Sequence, residues 1–250
     1  MSAHTAPLRV LDLFSGIGGF SLGLERAGME TVAFCEIEPY CRAVLKRHWP
    51  HVPIYDDIRT LTVPRGAADV VCGGFPCQPF SSASRGRLNG RNDDRYLWPE
   101  MLRVVRECQP TWVIGENVAH LRGVDFDTVV TDLEREGYEV QTLEIPACAT
   151  GHDHWRARLW FLGYTDRNGK SGRAVDAEAS GVSWARGVPA RMGTAHGLPR
   201  RLDGHRLRAI GNAVVPQIPE MIGRAILAAQ KEGRAEARPE ITALASTCQD

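Results

Sequence analysis

The 250-residue chain is predicted to be an α/β protein built on a doubly wound, mostly parallel sheet. Three observations carry this expectation. Short apolar runs of strand length alternate, from Leu8 to Leu162, with segments whose apolar residues recur at helical spacing. The first run opens into a glycine turn, Ser15-Gly16-Ile17-Gly18-Gly19, that leads into a helix. The alternation breaks down after Gly163, where an irregular stretch rich in Gly, Ala, Arg and Pro begins.

The elements follow in order. Leu8 to Phe14 reads as a strand, and the helix after the glycine turn runs from about Phe20 to Ala27, with Gly28 as its stop. Glu30 to Cys35 is the second strand and ends at Glu36. Pro39 to His48 is helical, with Tyr40, Val44 and Leu45 at helical spacing. A third strand ends near Asp57. Ala67 to Cys72 is a buried strand bounded by Gly73 and Gly74, and the polar stretch Ser81 to Asp94 is expected to be a mobile loop. Leu97 to Cys108 is helical, and Thr111 to Ile114 is a strand ending at Glu116-Asn117. A helix over Phe126 to Glu136 is stopped by Gly137, followed by strands over Tyr138 to Ile145 and Arg158 to Leu162. Helical spacing returns from Pro216 to Ala229, with Ile218, Met221, Ile222, Ala225 and Ile226 on one face. The last residues are expected to be a frayed tail.

Composition narrows the function classes. Lys plus Arg and Asp plus Glu balance at 30 each, so overall charge alone argues for no polyanionic partner. Locally the balance shifts: nine basic residues between Asp166 and Arg208 face four acidic ones, which suits a phosphate-facing surface. Seven scattered cysteines, with no CxxC and no Cys/His cluster, argue against a disulfide framework and a zinc site. Met1 to Pro7 has no apolar leader, and no stretch has the length of a membrane span. A soluble, cytoplasmic protein with no membrane partner and no metal is expected.

Two sites stand out. In Gly73-Gly74-Phe75-Pro76-Cys77-Gln78-Pro79-Phe80-Ser81 a cysteine lies between two prolines directly after a strand. The prolines fix their own φ and bias their neighbours away from helix, so Cys77 sits on a stiff turn at a strand end, where α/β folds place their chemistry. Taken alone, Cys77 reads first as a small core hydrophobe, the usual fate of a cytosolic cysteine, and only its neighbours overturn that reading. The second site is the strand, glycine turn and helix with an acidic residue after the next strand, an arrangement for binding a nucleoside. Glu36 lies 18 residues beyond Gly18, close to the spacing of about 20 at which a carboxylate meets the ribose hydroxyls. Ser21 stands where a dinucleotide fingerprint has its third glycine. That favours a cofactor with a ribose and no pyrophosphate, such as S-adenosylmethionine. Asp57, near the end of the third strand, could accept a hydrogen bond from the adenine amine.

Phe14-Ser15-Gly16-Ile17-Gly18-Gly19, Pro76-Cys77-Gln78, Glu116-Asn117-Val118, Arg156-Ala157-Arg158 and Gly211-Asn212-Ala213-Val214-Val215-Pro216 occur in that order. With these motifs the chain resembles the DNA cytosine-5 methyltransferases of bacterial and phage type, over roughly Leu8 to Leu227. The resemblance implies a Rossmann-like, S-adenosylmethionine-dependent methyltransferase fold. Residues 1–163 would form the catalytic core, 164–207 a small irregular target-recognition region, 208–229 a helix returning to the core, and 230–250 a tail. The implied reaction transfers a methyl group to C5 of cytosine in double-stranded DNA, with the base flipped out of the duplex and Cys77 bonded covalently to C6.

The resemblance assigns catalysis to Cys77, Glu116, Arg156 and Arg158. Cys77 attacks, Glu116 protonates or hydrogen-bonds N3 of the base from a closed apolar pocket, and the two arginines hold the base. It places the cofactor against Phe14, Ser15, Gly16, Gly18, Gly19, Glu36, Ile37, Asp57, Ile58, Pro76, Asn212 and Val214. Ser81, Ser84, Arg85, Arg87 and Arg91, on the expected mobile loop, are the DNA contacts. Double-stranded DNA is the implied partner, a cognate restriction endonuclease a further one, and a monomer is expected. The chain departs from the family pattern twice: His154-Trp155 precede Arg156 where the family often has Gln, and the recognition region spans only about forty residues. Two other readings stay open, a DNA-binding relative whose catalysis was lost with part of that region, and a cytosine-5 methyltransferase acting on RNA. A zinc deaminase is excluded because Phe80 occupies the place of its second cysteine and no His-x-Glu occurs. An adenine amino-methylase is excluded because no Asp/Asn-Pro-Pro-aromatic motif occurs.

Overall fold

A computed structural model describes residues 6–76, 96–118, 124–146, 157–166 and 209–231. It contains seven strands, β1 (Arg9–Leu13), β2 (Glu30–Cys35), β3 (Ile54–Tyr55), β4 (Val70–Gly73), β5 (Trp112–Val118), β6 (Glu139–Ile145) and β7 (Arg158–Tyr164). The helices are α1 (Gly19–Ala27), α2 (Pro39–His48), α3 (Trp98–Cys108), α4 (Val124–Arg135) and α5 (Gln217–Lys231). The strands form one sheet in the order β3-β2-β1-β4-β5-β7-β6. The five strands from β3 to β5 are mutually parallel, and β7 enters antiparallel between β5 and β6. The doubly wound, mostly parallel sheet expected from the sequence is therefore the architecture found.

Alternation along the central strands sends side chains to two cores. Leu11, Leu13, Val71, Val113 and Phe161 face one side and pack with Trp98, Met101 and Val105 of α3 and Val129 and Leu133 of α4. Val10, Val70, Cys72, Ile114 and Trp160 face the other and pack with Phe20 and Leu24 of α1 and Ile218, Ile222 and Ile226 of α5. The all-buried β4 is what a strand covered on both faces requires.

Asp12 is the exception on the α1 face. It is fully buried, and its Oδ2 accepts hydrogen bonds from Ser21 Oγ at 2.7 Å and Ser21 N at 3.3 Å. Its Oδ1 is buried with no hydrogen-bond partner. Burial pushes this carboxyl up to about 7, against the opposing effect of the Ser21 bonds.

Element ends differ from expectation where pairing is non-local. β5 continues to Val118, carrying Glu116 and Asn117 inside the strand, because β7 pairs with it along its whole length. β4 begins at Val70 rather than Ala67, because the preceding residues turn at Gly66 and Asp69 is spent on Arg9. β3 has two residues only. The stops expected at Gly28 and Gly137 are present, both with positive φ.

The contact between α1 and α5 is unusually close. A Cβ on Gly23 would overlap the Pro216 carbonyl, and one on Gly19 would lie 2.6 Å from the Val214 carbonyl oxygen. Only glycine lets the returning segment lie directly on the first helix. No helix of the described residues is long and apolar enough to cross a membrane. The loop expected over Ser81 to Asp94, most of the recognition region and the tail lie outside the described residues.

Candidate active site

The C-terminal ends of β1, β2, β3, β4 and β5 lie along one edge of the sheet, the edge where open α/β sheets bind ligands. β7 runs the opposite way, so its first residue, Arg158, reaches the same edge opposite Val118. Glu116 is the same-face diagonal neighbour of Arg158 across this pair. Arg158 Nε and Glu116 Oε1 are 2.9 Å apart, with side-chain exposures of 23% and 14%. The carboxyl expected in an apolar enclosure thus meets a guanidinium instead. Gly74 makes room for it: a Cβ there would lie 3.1 Å from Glu116 Oε2.

Asn117 is a site residue to which sequence reasoning gave no role of its own. It is buried, and its Nδ2 donates to the Phe75 carbonyl at 3.0 Å while its Oδ1 accepts from Val118 N at 2.9 Å. The chain leading into Cys77 is thereby tied to β5 two residues before the cysteine. The signal was present in the sequence, since a buried amide side chain in a strand must find partners. Cys77 and Arg156 lie outside the described residues, as do Ser81, Ser84, Arg85, Arg87 and Arg91.

The wall facing the Glu116–Arg158 pair comes from far along the chain. Glu116, Arg158 and Trp160 on one side and Ala213, Val214 and Val215 on the other line a small pocket. Asn212 is exposed on a helical turn over 209–212, just before this wall.

The nucleoside half is assembled at the neighbouring strand ends. Phe14 has φ of +53°, a left-handed conformation rare for a bulky residue, and it ends β1 abruptly. Ser15 Oγ donates to the Asp12 carbonyl at 2.6 Å, and Gly18 N donates to the Ser15 carbonyl at 2.8 Å, closing the turn. Gly18, at φ +87°, admits the Trp49 ring where a Cβ would collide with it. Glu36 is buried, its Oε2 accepting from Gly16 N at 2.6 Å and its Oε1 from Glu38 N at 2.7 Å. Each carboxylate oxygen keeps a second lone pair, so the anchored carboxylate can still accept from two hydroxyls. Ile37, between these anchors, is 56% exposed. A Cβ on Gly16 would meet nothing within 4 Å, which leaves space over the turn for a ligand to approach the backbone. The open turn and the acceptor beside it fit an adenosyl cofactor.

Asp57 lies in the turn after β3, and Ile58 beside it is buried. Asp57 Oδ1 accepts from Arg59 N at 3.0 Å and Arg59 Nε at 2.9 Å, and the Arg59 side chain holds the carboxyl below its ordinary range. That partner was not anticipated. Cys35, Cys41, Cys72 and Cys108 are all buried, and burial pushes the thiols of Cys35 and Cys41 up to about 12 and about 11.

Comparison with known proteins gives a concordant picture. The family model described as C-5 cytosine-specific DNA methylase matches residues 8–183. The chain is 36% identical over 172 residues to the type II methyltransferase M1.HphI of Haemophilus parahaemolyticus, covering 64% of this chain and 46% of that protein. It is 36% identical over 165 residues to the type II methyltransferase M2.BsuMI of Bacillus subtilis strain 168, covering 62% and 41%. Among solved structures, a candidate DNA modification methyltransferase encoded within an Escherichia coli prophage matches at 28% identity and a TM-score of 0.51, over 63% of this chain and 47% of that one. The chain thus spans a little under half the length of these relatives. Its fold and sequence agree on one assignment: this chain belongs to the C-5 cytosine-specific DNA methylase family.

Proposed function

We propose that this protein transfers a methyl group from S-adenosylmethionine to C5 of cytosine in double-stranded DNA. The observation that carries the reading is the Glu116–Arg158 pair at the end of β5, beside a Phe75-Pro76 segment that Asn117 fastens immediately before Cys77. An acid and an arginine thus meet on one strand edge, next to the turn that suits the cofactor, and the chain that leads to Cys77 is fastened beside them. Cytosine C5 is too weak a nucleophile to accept a methyl group unaided. The Cys77 thiolate adds to C6, forming the S–C6 bond, and the C5–C6 electron pair moves into the ring. Glu116, released by Arg158 and protonated from solvent as the base enters, meets N3 and supplies a hydrogen bond or proton, which stabilises the charge that develops there. Arg158, freed from its carboxylate partner as the base enters, turns to the O2 edge, a role suited to a permanently charged fork of donors.

When bound, S-adenosylmethionine supplies an electrophilic methyl group to C5. Glu36 would hold its ribose hydroxyls, the Phe14–Gly19 turn its methionyl end, and Ile37, Asp57 and Ile58 the adenine. Loss of the C5 proton to solvent water would then restore the C5–C6 double bond and expel Cys77 as thiolate, with the N3 proton returned to Glu116. The target base must leave the duplex to enter this site, at a cost of a few kcal/mol of unstacking. Ser81, Ser84, Arg85, Arg87 and Arg91 would contact the backbone around it. We assign 1–163 to the catalytic core, 164–207 to target recognition and 208–229 to the returning segment, and propose a monomer.

The test is incubation of the full chain with labelled S-adenosylmethionine and duplex DNA, with transfer RNA in parallel. The expected result is 5-methylcytosine in DNA and its loss in Cys77→Ser. A cytosine analogue that cannot lose its C5 substituent should trap the protein covalently on DNA. Turnover that survives Cys77→Ser would remove the proposed nucleophile, and methylation confined to RNA would replace the proposed substrate.

A further inference from the structure

The loop that carries Asp57 and Ile58 receives little support from the sheet, because β3 contributes only two residues, paired to β2. Its own backbone closes a single turn, with Thr60 N and Leu61 N donating to the Asp57 carbonyl at 3.2 and 3.1 Å. Arg59 adds bonds to Asp57 within the loop, and Ile58 and Leu61 are buried beneath it; the hydrogen bonds that reach its backbone from another helix come from one face of α3. Arg103 Nη2 donates to the Ile58 carbonyl at 2.6 Å, and its Nη1 donates to the Leu61 carbonyl at 2.9 Å. Glu107 Oε2 accepts from Val63 N at 3.1 Å. The guanidinium is oriented in turn by Glu100 Oε2 on Nε at 2.8 Å and Glu107 Oε1 on Nη1 at 2.7 Å. Residues 100, 103 and 107 share one face of the helix, so a single rigid element grips three backbone points of the loop.

We propose that Arg103 is a positioning residue for the adenine end of the cofactor pocket: it fixes the height and tilt of the 57–63 loop on α3 and touches no ligand itself. This rests on the reading of Asp57 and Ile58 as cofactor contacts. Two flanking carboxylates neutralise the guanidinium, so it is not a site for phosphate. Its side chain is 31% exposed, whereas Ile58 and Leu61 supply the buried contacts under the loop. Removing the guanidinium therefore loosens the loop backbone while leaving the core beneath it in place. Lysine cannot substitute fully, because an ammonium lacks the planar fork that spans two carbonyls and two carboxylates at once.

The experiment measures S-adenosylmethionine binding to the full chain by calorimetry, together with KM for the cofactor and kcat at saturating cofactor. Arg103→Met should weaken binding and raise KM by about tenfold, the order expected when charge-assisted bonds holding a binding loop are lost. kcat should stay within about twofold, the pattern of lost uniform binding, and Arg103→Lys should fall between Met and wild type. Unchanged affinity with a lower Tm, or a fall in kcat at unchanged KM, overturns the proposal. Should Arg103→Met fail to fold, Glu107→Gln removes the charged acceptor of the same network, and unchanged cofactor affinity there overturns it equally. Asp57→Ala separates the two levels. Weakened binding in Asp57→Ala with none in Arg103→Met defeats this inference alone. Full affinity in Asp57→Ala defeats the adenine placement, and the role of Arg103 with it.

Discussion

The cofactor half and the base half of this site are built on opposite plans. The first is assembled largely from a near-contiguous stretch, residues 8–63, and its central acid is anchored by backbone close by, Glu36 on Gly16 and Glu38. The second gathers Phe75, Glu116, Asn117, Arg158 and the 213–215 wall from across the chain, and its two charged groups hold each other. A site that must bind one invariant small molecule can be rigid before the ligand arrives. A site that admits a nucleobase from a duplex, as proposed for this one, keeps its charges in a pair that can exchange partners. Substitutions in the two halves should accordingly separate in what they damage.

The largest effect is expected in the base half. Glu116→Gln removes the proposed proton donor and the ion pair, and should lower kcat by about 100- to 1,000-fold, within the usual range for a positioned acid. Cofactor affinity should stay near wild type. A fall in cofactor affinity of comparable size would erase the separation between the halves. Single-turnover methyl transfer and calorimetry on the same preparation decide it.

Next comes a pH effect rooted beneath the cofactor half. Asp12 is fully buried and its carboxyl is pushed up to about 7 from 3.8, so the folded state binds its proton more tightly than the unfolded chain. The sign follows: the contribution is fully present below pH 4, declines as pH rises from about 4 to 7, and is constant above. At about 1.4 kcal/mol per unit the ceiling is about 4 kcal/mol. Asp12→Asn keeps an acceptor for Ser21 and cannot ionise, so its urea midpoint should be flatter than wild type across that window. Equal slopes would show that Asp12 does not titrate there. The base half has no fully buried carboxyl of this kind among the described residues.

Smaller again is Glu36→Gln. It keeps the shape of the side chain and exchanges one of the two anchored carboxylate oxygens for an amide nitrogen, which cannot accept a hydrogen bond. We expect cofactor binding weaker by about 10- to 100-fold, with kcat at saturating cofactor and the affinity for DNA little changed. Loss of DNA binding alongside cofactor binding would mean that the halves are not separable at this residue.

The same contrast explains what the sequence revealed. For the glycine turn and Glu36 of the cofactor half local chemistry suffices. Gly18 and Gly28 mark the bounds of α1, and the spacing from Gly18 picks out Glu36, because turn and helix-cap conformations are properties of a few consecutive residues. In the base half the strand Thr111 to Ile114 is recognisable from its apolar run, but its extension to Val118 depends on β7, forty residues further on. The Glu116–Arg158 pair, the bond from Asn117 to Phe75 and the grip of Arg103 on the 57–63 loop are likewise contacts between distant residues. Motif order could place Glu116 and Arg158 in one site, yet no periodicity or propensity states that they touch.

The smallest predicted effect probes the seam where the two halves meet. Gly19 and Gly23 of α1 lie under the Val214 and Pro216 carbonyls, so the helix that opens the cofactor half also seats the wall of the base pocket. Gly23→Ala should raise the intrinsic helix propensity of α1, a gain of about 1 kcal/mol, while forcing the returning segment outward. Overpacking of this kind costs about 1–3 kcal/mol, and because the overlap is with the Pro216 and Glu220 backbone this case belongs at the upper end, so the net change in stability is destabilising. What distinguishes the seam is the functional signature. Displacing Ala213, Val214 and Val215 moves the wall opposite Glu116 and Arg158, and displacing α1 moves the glycine turn, so kcat and cofactor affinity should both fall, each by less than in Glu116→Gln or Glu36→Gln. A Gly23→Ala variant that loses stability with both functional constants intact would show that the halves are merely adjacent. A variant that loses both in parallel would show that the close helix contact fixes their relative position.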